Sequence, residues 1–178
     1  MDIKITVALI AAFVSFVGLL ISKEQKVSEF RQTWIDRVRG DVAELIGNSS
    51  YIMHAWLLVA KDYKKNKKVG DKFLSDNILI FRDIDIIISR IKLSLNPVKD
   101  KRMMDALSRI EDATLEPSKI NKLEKAVNEV ERLSHVIFKT EWERVKSGEP
   151  FFSFSKWIVG LSIPALFIWL LYSWFIGA

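Results

Sequence analysis

Residues 5–22 read ITVALIAAFVSFVGLLIS, without a single charged side chain. About 20 apolar residues in a helix cross the ~30 Å hydrocarbon core of a bilayer. With Ile3 in front and Lys4 able to snorkel, the run suffices for a span over residues 4–22. A cleaved signal peptide is the rival reading. It needs a basic leading region and a small-x-small cleavage site after the apolar run. Asp2 and Lys4 cancel, and Leu20-Ile21-Ser22-Lys23 offers no such site, so an uncleaved anchor is expected.

The other end of the chain repeats the pattern. Residues 157–178 carry no charge, with Trp157 at one side and Tyr172 and Trp174 near the other, as interfacial aromatics bracket a span. As a helix, residues 157–177 would be ~31 Å long. Pro164 falls inside and kinks it, which membrane helices tolerate.

These two runs explain the composition. The chain has 178 residues, 49% hydrophobic and 28% charged, with formal charge +5 and mean hydropathy +0.13. Apart from Asp2 and Lys4, every charge lies in residues 23–156, so that middle segment carries the whole +5. A plain cytosolic enzyme does not segregate its residues in this way. With no cysteine, a disulfide scaffold and a thiolate metal site are excluded. The middle is also too rich in Ile, Leu, Val and aromatics to stay unfolded. Lys23, Lys26, Arg31, Arg37 and Arg39 follow the first run, and Arg144, Lys146 and Lys156 precede the second, against Lys4 alone outside. The positive-inside rule then places the middle in the cytoplasm and both termini outside.

The middle reads as helices. Val27, Phe30, Trp34, Val38, Val42 and Leu45 continue a helical stripe from the first span to about residue 46, where Gly47-Asn48 signals a stop. A second helix from Ser49 or Ser50 to about Lys65 carries Ile52, Met53, Trp56, Leu57 and Ala60. A third spans about Asp71 to Leu95 through Phe73, Leu74, Ile78, Phe81, Ile84, Ile88 and Ile91. Asn96-Pro97 reads as N-cap and first position of a fourth, with Met103, Met104, Leu107 and Ile110. The last begins near Pro117-Ser118, runs through Ile120, Leu123, Val127, Val130, Ser134, Ile137, Glu141 and Val145, and ends at Gly148 and Pro150. The expected fold is all-α. Two transmembrane helices flank a cytoplasmic helical bundle over residues 23–150, the first continuous with a long cytoplasmic helix, with an interfacial elbow at residues 151–156 around Phe151, Phe152 and Phe154.

Catalytic chemistry finds little support. No G-x-S-x-G, Walker A or G-x-G-x-x-G pattern occurs, and His54 and His135 lack the i, i+4 partner of a helical metal site. Helical ribonucleases of the HEPN type carry an arginine followed four to six residues later by histidine. Arg132-Leu133-Ser134-His135 is too short for that, and His54 has no arginine in range upstream. No enzyme activity, cofactor or metal is expected. Lys64, Lys65, Lys67 and Lys68 form a candidate patch for anionic lipid or nucleic acid, though such a run is more often a solvated helix end.

The most organised constellation lies in the first span. Ala8, Ala11, Ser15, Gly18 and Ser22 recur at spacings of three and four and make one face entirely of small residues. Such faces let helix backbones approach closely in lipid. Beyond the span the face continues as Gln25, Glu29, Gln32 and Asp36. It packs against the second span of the same chain, or against copies of itself to build a ring or pore, or it is the chance pattern of an alanine-rich span.

The stretch Ser22–Asp36, SKEQKVSEFRQTWID, together with Arg90–Pro97 and Glu141–Glu149, resembles small bacterial two-span membrane proteins of phage-defence loci. These are similar to the effectors of some retron systems and, more loosely, to the membrane accessory protein of one RNA-targeting CRISPR type. The resemblance implies an inner-membrane effector that oligomerises, permeabilises or depolarises the bilayer and stops growth during infection. It further implies restraint by an inhibitory protein or by a nucleoprotein complex such as a reverse transcriptase with its RNA/DNA. Helix packing also accounts for the conspicuous polar residues Arg31, Trp34, Asp36, Arg90, Asn96, Trp142 and Arg144. The alternative is a membrane-anchored interaction module that tethers a nucleoprotein or enzyme partner and leaves the bilayer untouched.

Overall fold

A computed structural model of the chain describes residues 3–114 and 119–147, and within the second apolar run residues 157, 160–162, 164, 165, 168, 169 and 172. All nine of the latter are helical. The elbow at residues 151–156, the Pro117-Ser118 start, the Gly148 and Pro150 stop and the rest of the second run lie outside the described residues. Among the described residues there is no strand, and the chain is all-α.

Five helices can be delimited among residues 3–147: α1 (Ile3–Tyr63), α2 (Lys68–Asp76), α3 (Ile78–Ser94), α4 (Lys101–Thr114) and α5 (Ile120–Ser147). The chain divides into two compact units. A terminal unit holds residues 1–33 and 141–178, and a central unit holds residues 34–140.

The central unit has the apolar core. Val38, Val42, Leu45, Ile52 and Trp56 of α1 meet Phe73 of α2, Phe81, Ile84, Ile87, Ile88 and Ile91 of α3, Met103, Leu107 and Ile110 of α4, and Ile120, Leu123, Val127 and Val130 of α5. Trp56, Phe73 and Phe81 form an edge-on aromatic chain with centroids 5.2 and 6.1 Å apart. Polar ties complete the packing. The Trp34 indole donates to the Ser94 carbonyl at 3.0 Å, and Arg90 reaches Asp41 at 3.1 Å and Glu44 at 2.9 Å.

Three expected boundaries move. Gly47-Asn48 does not stop α1, which runs on to Tyr63 and absorbs the expected second helix. The buried stripe passes through the pair as Leu45, Ser49, Ile52 and Trp56. Core contact along that stripe outweighs the ~1 kcal/mol that glycine costs a helix. The expected third helix is instead α2 and α3, broken at Asn77, whose ψ of 15° leaves the helix and whose side-chain amide donates to the Phe73 carbonyl at 2.9 Å. That local bond competes with helical pairing. Finally, Asn96 caps a single turn rather than α4. Its Oδ1 accepts from the Val98 and Lys99 amides, and α4 starts five residues later, from Lys101.

The expected core faces hold with three exceptions. Phe30 is 74% exposed, and Leu57 and Ile78 also face outward. Each sits at the edge of its stripe.

Candidate functional site

α1 begins with an 18-residue window of mean hydropathy 2.5, none of it buried within the chain. By length and composition this helix can cross a membrane. Its sides differ. Thr6, Phe13, Val17, Leu20, Glu24, Val27 and Arg31 are half-buried, at spacings near 3.5 residues. Ala8, Ala11, Ser15, Gly18 and Ser22 lie on the other side, and all five are exposed. A Cβ built on Gly18 meets nothing within 4 Å. The structure therefore leaves these five residues uncovered.

The polar continuation is exposed as well: Gln25, Glu29, Gln32 and Asp36. Its acids are engaged locally, Glu29 with Lys26 at 2.7 Å and Asp36 with Arg39 at 3.2 Å. Exposed pairs one turn apart contribute about 0.5 kcal/mol or less, so they orient side chains without locking the face.

Lys64, Lys65, Lys67 and Lys68 are all exposed, the first three in the turn from α1 to α2 and Lys68 at the start of α2. Asn66 organises the turn, accepting the Lys68 amide on its side chain at 3.0 Å. His54 and His135 are exposed, and among the described residues no cluster of His, Cys, Asp or Glu could hold a metal ion. Ser108 lies 3.1 Å from the Lys92 ammonium, a spacing that suits a serine–lysine dyad. Glu111 takes the same ammonium at 2.6 Å, so the trio is an α3–α4 ion pair with a hydroxyl partner rather than a nucleophile with its base.

Comparison with family models, with curated proteins and with solved structures returns no match to this chain.

One arrangement is missed by the sequence motifs. Glu141 of α5 is 6% exposed, and its two oxygens each meet a guanidinium, Arg31 of α1 on one and Arg144 on the other at 3.2 Å. The signal in the sequence is an acid in the apolar stripe of the last helix, with Arg144 one turn on. Its partner 110 positions away was not readable from spacing.

Electrostatics elsewhere are local. Glu129 is held below the usual carboxylate range by the hydrogen bond from Arg132, which is raised in return. Asp85 is pushed up, first by partial burial and then by the charge of Glu111.

Proposed function

We propose that this chain is a bacterial inner-membrane effector whose copies associate through the small face of α1 and make the bilayer leak. Two spans anchor it, with the bulk in the cytoplasm and both termini in the periplasm. The bundle holds the spans in a quiet arrangement, alone or under an inhibitory protein or nucleoprotein partner. On release the small faces meet, and the loss of membrane potential arrests growth. The assignment to phage defence rests on the resemblance of the three segments described above.

The observation that carries this reading is the uncovered face Ala8, Ala11, Ser15, Gly18 and Ser22 on a helix whose apolar window has no fully buried residue. In lipid, where apolar surface alone gives no drive to associate, small residues permit the close backbone contact that does. A voltage-sensitive dye in cells induced to make the intact chain tests it. Depolarisation before growth stops is expected, and its absence at confirmed membrane levels, with and without phage, counts against the proposal.

A second reading, the tethering module, draws on Lys64, Lys65, Lys67 and Lys68, whose exposure in one turn suits an anionic partner. Reversing these four charges should then abolish partner pull-down, while a membrane effector keeps its depolarising activity.

A further inference from the structure

We infer that Arg31, Glu141 and Arg144 form an ionic latch between α1 and α5 in the terminal unit, and that this latch opens before the spans regroup. The second clause rests on the effector reading; the first does not.

The latch stands out because of what surrounds it. Among the described residues of the terminal unit no apolar side chain is buried, and Glu141 is the one buried residue. The central unit holds all of the buried core cluster. Elements with few buried apolar contacts open at lower free energy than a packed core. Here the tie between the two helices is a shared carboxylate, flanked by half-buried Val27, Ser28 and Val145. The cleft beside it, lined by Glu24, Val27, Ser28, Arg31, Arg144 and Val145, holds only about 10 Å³.

Burial decides that this pair matters where others do not. The Arg31 and Glu141 side chains are 22% and 8% exposed, against 69% and 49% for Lys26 and Glu29. An exposed pair exchanges freely with water, whereas a buried carboxylate deprived of its guanidinium is strongly disfavoured. The contact is thus two-state: closed with the carboxylate paired, or open with all three groups hydrated. Arg31 lies on the half-buried line of α1, on the side opposite the small face. A packed apolar seam has no such charge-dependent state.

The chain has no native cysteine, which makes labelling specific. The test uses the full-length protein in lipid nanodiscs with spin labels on Ser28→Cys and Val145→Cys. Arg31→Glu and Glu141→Arg singly are expected to broaden the distance distribution, and Arg31→Glu/Glu141→Arg together to narrow it again. Unchanged single variants, or a double variant no better than either, overturn the latch. In cells, the single variants should depolarise at about tenfold lower expression than the parent, and the double should return toward it. In liposomes holding a potassium diffusion potential, joining the two cysteines of the purified chain with a short bis-methanethiosulfonate should block depolarisation until a reductant is added; a linked chain as active as the parent overturns the requirement for opening. If the parent itself never depolarises, the effector reading falls, and the spin labels still decide the latch.

Discussion

Gly47 is exposed in the interior of α1, and a Cβ there would meet nothing within 4 Å. Alanine fits without strain and narrows the unfolded ensemble, so Gly47→Ala should stabilise the fold by ~0.5–1 kcal/mol, read as a higher midpoint in urea. A destabilised variant would mean that something approaches this face closely. Asp85 gives a pH test. Its folded form binds a proton more tightly than the unfolded chain does, so the ionised group weakens the fold above its raised pKa and the penalty fades as pH falls through it. Asp85→Asn should therefore raise stability slightly at neutral pH, by under ~0.5 kcal/mol after solvent screening, with the gain vanishing in acid. Melting curves at neutral and acidic pH check both the size and the sign.

At the scale of the element, α3 was legible from its isoleucines. Ile84, Ile88 and Ile91 fall at spacings of four and three, and all are buried. Ile88→Ala should cost ~2–4 kcal/mol by cavity formation, while Ile78→Ala, on the exposed side, should cost under ~1 kcal/mol. Urea unfolding of the two variants separates them. The same periodicity misplaced Phe30, Leu57 and Ile78, because a spacing of three or four admits both edges of a stripe and only the neighbouring helix selects one. Local stop signals misled in both directions. Glycine at 47 was overridden by packing, and Asn77, with no glycine or proline beside it, broke a helix through its own side-chain bond to Phe73.

The whole molecule divides by kind of contact. The central unit, with its apolar core, should protect its amides strongly, and residues 23–33 and 141–147 should exchange faster, since only a charged tie is buried there. Hydrogen exchange in nanodiscs reads this directly, and equal protection would contradict it. The membrane reading makes its own demand at this scale. Ser15→Leu/Gly18→Leu should abolish depolarisation while leaving the amount in the membrane unchanged, because two leucines hold neighbouring backbones apart. A double variant as toxic as the parent would remove the small face from the mechanism.

The sequence by itself determined the all-α class, the apolar helix at the N-terminus and most of the core. Each follows from composition and periodicity within one segment, and burial of an amphipathic stripe needs no knowledge of which partner covers it. The tertiary structure alone decided which side of α1 stays open, where helices pass through or break at turn-prone residues, and that Glu141 meets Arg31 across 110 positions. Those outcomes depend on contacts between distant segments, where packing of a whole face outweighs the ~1 kcal/mol preference of any single residue.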